Sequence, residues 1–291
     1  MKHYEHCNLC PRGCGADRTR GQRGFCGGAD KAAVAKTMIH KWEEPVLAPN
    51  GKSGTIFFGG CTLGCTYCQN RAISSRCAGE EVDAAQLRQK MEDLIAQGAE
   101  NIDLVTPSHF LPTVCGALEE KLSVPVVYNC GGYENVECLR LLEGKVDIYL
   151  PDLKYANNAL AKALSGVGDY FQVATQAILE MVRQTGEPVF DGEKLVKGTV
   201  IRHLILPGQV ENSLKVLDWI GEHFRPGQVL VSLMRQYTPM PGMQAPLDRK
   251  ITDAEYEAVL SWMYLNDLQG FTQEAEAAKE SFIPDFALTE E

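Results

Sequence analysis

Short apolar runs alternate with longer amphipathic segments along most of the chain, beginning near Thr55. The runs are rich in β-branched residues and leucine and are bounded by glycine, proline or asparagine, which is typical of buried parallel strands. They occupy residues 55–58, 102–105, 124–128, 146–150, 200–206 and 229–234. The segments between them repeat apolar residues at helical spacing. These predicted helices occupy residues 83–97, 112–121, 135–143, 172–184, 211–223 and 252–266.

Six strand-then-helix units in series predict an α/β fold with a parallel sheet. Such a sheet can curl into a partial barrel or stay flat and doubly wound, and the periodicity does not distinguish the two. The beginning of the chain differs, since it is rich in Cys, Gly and Arg and needs a metal or a host domain to order it. We therefore divide the chain into a Cys-rich extension (1–50), a core domain (51–270) and a tail (271–291).

The charge balance argues against two classes of partner. The 291 residues include 28 basic and 38 acidic side chains, for a net charge of −10. Non-specific binding to nucleic acid or to an anionic membrane needs a basic surface, so we expect neither. No stretch approaches the roughly 18 to 20 apolar residues of a membrane span, and no apolar signal region follows the N-terminus. We therefore expect a cytoplasmic protein.

Eleven cysteines in that compartment indicate metal binding or redox chemistry rather than disulfide bonds. Cys61, Cys65 and Cys68 form a C-x3-C-x2-C motif in a glycine-containing loop after the first predicted strand. An electron-transfer 4Fe–4S cluster needs four protein thiolates, whereas three leave one iron open to a reactant. The alternatives are three unrelated buried cysteines or part of a zinc site. The spacing, the loop and the aromatic Tyr67 together favour the cluster.

A second group of cysteines lies in the extension with the spacing C-x2-C-x3-C-x11-C. Its members are Cys7, Cys10, Cys14 and Cys26. Four thiolates can close a zinc site or hold an auxiliary 4Fe–4S cluster, and the spacing leaves both open, as well as four free thiols. The arginines between these cysteines could instead dock a partner or cover the mouth of a barrel.

With Tyr67 before its last cysteine, the motif resembles the signature of the radical S-adenosylmethionine (SAM) superfamily. The chain is similar in particular to uncharacterised relatives of pyruvate formate-lyase activating enzyme, through residues 7–15, 68–70, 106–110, 152–154 and 202–208. The resemblance implies a partial (β/α)6 TIM-like barrel and a 4Fe–4S cluster on the three cysteines, with SAM at the open iron. It also implies an external electron donor, flavodoxin or ferredoxin, and a 5′-deoxyadenosyl radical that abstracts hydrogen from the substrate.

Side chains at the carboxyl ends of barrel strands face the ligand site. Many radical SAM proteins carry Gly-Gly-Glu after the second strand, but this chain has Thr106, Pro107, Ser108 and His109 there. We expect Thr106 and Ser108 to contact SAM without the help of a carboxylate. His109 is a candidate catalytic proton donor or substrate ligand, although a histidine at such a position is as often structural.

The third and fourth strands end in further candidates for the SAM site. Asn129, Gly131 and Gly132 follow the third strand, and the glycines either let the backbone approach a ribose or adenine or only make a tight turn. Asp152 and Lys154 lie two apart after the fourth strand. By resemblance to the activating enzymes they lie near SAM or the substrate, with Lys154 also a catalytic candidate; a surface ion pair is the alternative.

The last two strands supply two more candidates. Arg202 and His203 point to opposite faces of the fifth strand, so at most one faces the interior. Arg202 is the better candidate for the SAM carboxylate, because a guanidinium binds carboxylate through two hydrogen bonds. Met234, at the end of the sixth strand, is a candidate contact for adenine or substrate, although packing is the commoner role of methionine.

Three functions remain. The first is an activating enzyme that abstracts hydrogen from a protein partner to make a glycyl radical. The second is a lyase or epimerase that acts on a small metabolite or a peptide, so the enzyme class is oxidoreductase or lyase. The third is an iron–sulfur electron carrier, but a carrier has no need of an open iron. We expect the first and keep the second as its alternative.

Overall fold

The computed structural model describes residues 2–272. The strands within these residues are β1 (Ala32–His40), β2 (Ser53–Phe58), β3 (Glu80–Val82), β4 (Asn101–Val105), β5 (Val126–Cys130), β6 (Ile148–Pro151), β7 (Val189–Asp191), β8 (Lys194–Leu204), β9 (Leu230–Met234) and β10 (Gly270–Thr272). The helices are α1 (Lys2–Glu5), α2 (Arg71–Ser74), α3 (Ala84–Ala96), α4 (Leu111–Ala117), α5 (Val136–Leu139), α6 (Asn158–Ser165), α7 (Tyr170–Thr185), α8 (Val210–His223) and α9 (Asp253–Leu265). No helix of this part of the chain is long and apolar enough to cross a membrane.

The six predicted strands form the parallel centre of one sheet, in the order β2-β4-β5-β6-β8-β9. This order follows the chain without reversal, whereas a doubly wound sheet reverses at a switch point. Among the described residues β3 and β10 form the two edges, so the barrel is not closed. The predicted α/β fold and the partial (β/α)6 TIM-like barrel are confirmed, and the flat doubly wound alternative is wrong.

Local signals explain why the predicted helices begin and end close to where they were expected. The side chain of Asp83 caps α3 and shares a capping box with Gln86, and Thr252 with Glu255 does the same for α9. Gly186 ends α7 with a φ of 71°. The pattern missed α6, the antiparallel strands β1 and β3, the β7–β8 hairpin and a seventh parallel strand, β10.

The two faces of the sheet carry different cores. On the outer face, Ile56, Leu104 and Tyr128 pack with residues of α3 and α4 in one cluster, while Ile201 and Val231 pack with α7, α8 and α9 in another. A smaller cluster fills the inner base of the barrel. Its buried members are Leu47, Val127, Ile148, Leu150, Leu195, Val200 and Leu230. These apolar contacts leave the opposite, carboxyl end of the interior to polar residues.

The β1–β2 loop (residues 41–52) packs against the base of the barrel through Val46 and Leu47. Leu47 is completely buried in the inner cluster, and its carbonyl oxygen accepts a hydrogen bond of 2.7 Å from Asn101 Nδ2. The Leu195 N–H donates to the carbonyl oxygen of Val46 at 2.8 Å. The domain boundary expected at residue 50 falls in the loop between two paired strands, since β1 (Ala32–His40) pairs with β2. Of the expected tail, residues 273–291 lie outside the described residues.

Candidate active site

A cavity of about 620 Å³ lies inside the barrel and reaches the carboxyl ends of its strands. Small-molecule sites commonly have volumes of about 300 to 1,000 Å³. Most of the predicted site residues line it. They are Cys61, Cys65, Cys68, Tyr67, Thr106, Asn129, Gly131, Asp152, Lys154, Arg202 and Met234. The topology thus brings to one place residues that are up to 173 positions apart because the parallel strands end at a common edge.

The cluster loop (residues 59–70) carries the three cysteines from β2 to α2. A Cβ on Gly59 would lie 2.2 Å from the carbonyl oxygen of Ala78, and one on Gly60 would lie 2.2 Å from that of Cys26. Gly60 also has a φ of 80°, which other residues rarely adopt. Glycine is therefore required at the start of the loop, where it lets the backbone turn between two neighbouring segments and into the cavity.

Each of the three cluster-loop sulfurs accepts a hydrogen bond from the protein. The pairs are Leu63 N–H to Cys61 Sγ (3.4 Å), Ser165 Oγ to Cys65 Sγ (3.0 Å) and Ser74 Oγ to Cys68 Sγ (3.4 Å). Donors at sulfur favour the thiolate, which is the form that binds metal. All three cysteines are partly exposed and line the cavity. The donor set therefore fits an iron–sulfur cluster that presents one face to the cavity.

Asp152 lies between two largely buried cations, Lys154 and Arg202, whose side chains are each 17% exposed. Its carboxylate accepts a hydrogen bond from Lys154 Nζ and one of 2.9 Å from Arg202 Nε. Burial raises the pKa of Asp152, but the charges of Arg202 and Lys154 outweigh it and hold the pKa below its usual value. Burial lowers the pKa of Lys154, and Asp152 reverses this and raises it to about 12. All three groups are therefore charged at neutral pH.

The β1–β2 loop adds acidic side chains to the same cavity. Glu43 lies 3.8 Å from Arg202 Nη1, and the buried Glu44 accepts a hydrogen bond of 2.8 Å from Ser232 Oγ. Burial raises the pKa of Glu44 to about 7, and burial followed by the charge of Glu43 raises that of Asp103 well above its usual value. Sequence reasoning missed both glutamates, because they precede the first barrel strand and belong to no motif.

Ser108 and His109 do not line the cavity. Thr106, at the end of β4, has a φ of 61°, and after this turn the chain runs behind the cluster loop. Ser108 Oγ donates to Glu134 at 2.6 Å, and His109 Nε2 donates to the carbonyl oxygen of Gly59 at 2.7 Å. Burial lowers the pKa of His109 to about 4, so the ring is neutral. The structure brings Thr106 to the cavity and gives the other two no contact with it.

Gly132, which follows β5, and His203, on β8, also do not line the cavity. Gly132 has a φ of 79°, and a Cβ there would lie 2.2 Å from the carbonyl oxygen of Asp152, so it makes a tight turn. His203 lies on the opposite face of β8 from Arg202 and hydrogen bonds to Ser213 Oγ at 2.9 Å. Arg202 is the member of the pair that faces the interior, in line with the alternation along a strand.

The four cysteines of the extension lie outside the cavity lining. Cys7, Cys10 and Cys26 are buried and Cys14 is exposed. Within residues 2–272, no group of three or more His, Cys, Asp or Glu side chains has the geometry of a bound metal ion. The side chain of Arg12 donates to carbonyl oxygens of the cluster loop, and that of Arg18 is buried. These two arginines face the protein rather than a partner.

Residues 55–220 match the family model described as the radical SAM superfamily. The chain belongs to the radical SAM superfamily. Membership implies a 4Fe–4S cluster and SAM as cofactors. The cluster loop and the cavity supply the donor set and the space for both.

Relatives and solved structures extend the likeness beyond the matched segment. An uncharacterised protein of Methanocaldococcus jannaschii is 29% identical over 273 residues, covering 88% of this chain and 74% of that protein. A radical SAM methyltransferase from Sphaerobacter thermophilus has a TM-score of 0.53 at 13% identity, over 76% of this chain and 66% of that one. Spore photoproduct lyase has a TM-score of 0.52 at 11% identity, over 82% and 79%. This chain spans just under two thirds of the methyltransferase, and at such identities the structures show the fold alone.

The buried carboxyl group of Glu134 makes the stability of this radical SAM protein depend on pH. Burial raises its pKa from 4.5 to about 7, only partly offset by hydrogen bonds from Ser108 and Tyr128. Between pH 4.5 and about pH 7, the folded state therefore keeps on Glu134 a proton that the unfolded state releases. Its contribution to the free energy of unfolding is full below pH 4.5 and falls by about 2–3 kcal/mol between pH 5 and pH 8.

We expect Glu134→Gln to be more stable than the wild type at pH 8, because it carries no charge, and to lose less stability between pH 5 and pH 8. Urea unfolding at the two pH values measures this. Glu211→Gln, at a fully exposed position, serves as the control and should follow the wild type. An unchanged pH dependence in Glu134→Gln would show that the carboxyl group is not protonated in the folded protein.

Proposed function

We propose that this radical SAM enzyme is an activating enzyme that abstracts a hydrogen atom from a protein partner to form a glycyl radical. The observation that supports this most is the extent of the cavity. It runs from the cluster loop to a rim where Trp42, a cavity-lining residue, is 62% exposed. A segment of a partner protein can enter from this rim, and an exposed aromatic side chain is a favourable contact for protein surfaces. The similarity to relatives of pyruvate formate-lyase activating enzyme supports the same assignment.

In this proposal Cys61, Cys65 and Cys68 would hold the cluster, and three thiolates leave one iron without a protein ligand. When bound, the cluster and SAM supply a 5′-deoxyadenosyl radical, with the electron coming from flavodoxin or ferredoxin. Lys154 and Cys65 line the same cavity, and Arg202 is already engaged by Asp152 and Asn129. In this proposal Lys154, rather than the expected Arg202, binds the carboxylate of SAM. Asp152 keeps Lys154 charged and oriented.

The other lining residues shape the SAM pocket. Arg202 Nη2 donates to Asn129 Oδ1 at 2.5 Å, which fixes the amide of Asn129 at the cavity wall. Gly131 leaves room next to the cluster loop, since a Cβ there would lie 2.6 Å from Leu63 Cδ1. The hydroxyl of Tyr67 shares a hydrogen bond of 2.6 Å with that of Tyr155 and holds the aromatic ring in the wall. Together these contacts fix the wall around the space in which a radical would form.

A second candidate is a lyase or epimerase that acts on a small metabolite. Glu43 and Glu44 line the cavity, and both lie on the β1–β2 loop opposite Arg202. Carboxylates at this position favour a small substrate that carries an amino or other cationic group. The two candidates differ in what must enter the cavity, a chain segment or a free molecule, and this difference can be measured.

The deciding experiment is SAM cleavage by the reconstituted, reduced protein in the presence of lysate separated into protein and small-molecule fractions. We expect the protein fraction to stimulate 5′-deoxyadenosine release and to acquire a carbon-centred radical signal in electron paramagnetic resonance (EPR) spectra. Stimulation by the small-molecule fraction alone would contradict the activating enzyme and favour the second candidate. Cys68→Ala serves as the inactive control for both fractions.

A substitution of Trp42 at the rim tests directly whether a partner protein binds there. We expect Trp42→Ala to reduce the stimulation by the protein fraction about tenfold, as for an interface aromatic, while unstimulated SAM cleavage stays unchanged. The matched control is Tyr264→Ala, which removes an aromatic side chain that is 65% exposed on α9 and does not line the cavity. Equal effects of the two substitutions would show that the rim does not contact the partner.

A further inference from the structure

The extension folds into a turn-rich unit around its cysteines, here called the cysteine knuckle (residues 7–28). The Cys7 N–H donates to the carbonyl oxygen of Ala16 at 3.1 Å, and the Gly15 N–H donates to that of Cys7 at 3.0 Å, so the chain doubles back between Cys7 and Gly15. A Cβ on Gly24 would lie 2.6 Å from Cys14 Sγ, which shows how closely the second half of the knuckle approaches the first. The four cysteines therefore lie on neighbouring turns of one small unit.

Arg18 is the most unusual residue of the knuckle. Its side chain is only 2% exposed, and its Nη2 donates to Cys26 Sγ at 3.3 Å while Nη1 donates to the carbonyl oxygen of His109 at 2.6 Å. Its Nε has no hydrogen-bond partner, and within residues 2–272 no carboxylate forms an ion pair with it. Burying a cation without a counter-charge costs several kcal/mol. A negative charge on the cysteine sulfurs would remove this cost.

We propose that Cys7, Cys10, Cys14 and Cys26 bind a second metal centre through four thiolates, and that Arg18 is its buried counter-charge. Cysteine coordinates metal as the thiolate, and four thiolates around a zinc ion or a 4Fe–4S cluster leave the centre with a net negative charge. The guanidinium, which donates to one sulfur and has an unused donor, supplies the matching positive charge. The centre is independent of the substrate of the enzyme, so its test does not rest on the proposed function.

The knuckle also holds the cluster loop in place. Arg12 donates to the carbonyl oxygens of Thr62 at 2.5 Å and Leu63 at 3.0 Å, and its guanidinium lies 3.5 Å from the ring centre of Phe25. That ring in turn covers Gly64, since a Cβ there would lie 3.1 Å from it. Neither Arg12 nor Phe25 is a ligand of the proposed centre, so these contacts with the loop of the first cluster do not depend on the second metal.

Metal analysis of the anaerobically purified and reconstituted full-length protein tests the proposal. A second 4Fe–4S cluster would give about eight iron atoms per chain, and zinc would give about four iron atoms and about one zinc. Either result supports a four-thiolate centre and identifies it. We expect Cys14→Ser, at an exposed position, to lose the second metal and keep the first cluster, while Cys115→Ser keeps both. About four iron atoms and no further metal in the wild type would overturn the proposal.

The role of Arg18 has its own readout. We expect Arg18→Gln to lose the second metal to a chelator about ten to one hundred times faster, as for other residues that contact a metal ligand. The first cluster, followed by its EPR signal with SAM, should be lost no faster than in the wild type. Arg20→Gln is the control, because Arg20 is exposed and two residues away. Equal rates of metal loss in the two variants would show that Arg18 does not compensate the charge of the centre.

Discussion

We expect Cys65→Ala to reduce 5′-deoxyadenosine release by more than about 1,000-fold, since it removes a ligand of the group that does the chemistry. Cys65 lies in the middle of the motif, accepts a hydrogen bond of 3.0 Å from Ser165 Oγ and lies near the charge of Lys154. With two thiolates left, the cluster loop cannot hold a stable cubane that leaves only one iron open. Release is measured by chromatography after anaerobic reconstitution, reduction and addition of SAM.

Two further variants show whether the loss of activity in Cys65→Ala is specific to the loss of a cluster ligand. Cys115→Ala removes a thiol that donates to the carbonyl oxygen of Leu141, outside the cavity, and should keep full activity. Ser165→Ala removes one donor to sulfur and leaves all ligands, so we expect an intermediate loss of about tenfold or less, in line with one hydrogen bond to a charged group. Substantial SAM cleavage by Cys65→Ala would refute the assignment of this cysteine to the cluster.

We expect Asp152→Ala to lower the free energy of unfolding by about 3–5 kcal/mol, because it leaves two buried cations without their shared carboxylate. Lys154 and Arg202 both hydrogen bond to this carboxylate, and each has only 17% of its side chain exposed. Urea unfolding of the protein without metals at neutral pH measures the loss. It also separates stability from any effect on the cofactors.

Asp152→Asn should recover part of this stability, because the amide oxygen still accepts one hydrogen bond from either cation. Glu211→Ala is the control, since its ion pair with Lys215 is fully exposed and should contribute nothing measurable. If Asp152→Ala unfolds at the same urea concentration as this control, the two cations must be compensated by another group, and Glu43 is the nearest to Arg202.

Much of the barrel could be predicted, because its strands and helices follow local rules. Buried parallel strands read as continuous apolar runs, and the side chains that end them meet at one edge whatever their distance in the chain. This is why Asp152, Lys154 and Arg202 were expected at one site and lie there. The cluster loop could be predicted for another reason. The spacing of three cysteines in a motif reflects the shape of the iron–sulfur cluster that such motifs bind.

Other features depend on conformations that the sequence does not encode locally. A threonine with a φ of 61° is uncommon, so nothing in the sequence signals that the chain turns away at Thr106 and carries Ser108 and His109 out of the cavity. The β1–β2 loop has no periodicity and enters the barrel through its contacts with distant strands. The position of Glu43 and Glu44 in the cavity could therefore not be predicted from the sequence.

The β1–β2 loop also determines when the barrel interior can be completed. During synthesis residues 41–52 leave the ribosome before any of the parallel strands, so the base of the barrel is available before its walls. As each strand is synthesised, its inward-facing apolar residues, such as Val127 and Ile148, can pack against Leu47. A chain that begins after this loop would expose those residues to water in every intermediate. The loop thus supplies, early in synthesis, an apolar surface against which the inner residues of the later strands can pack.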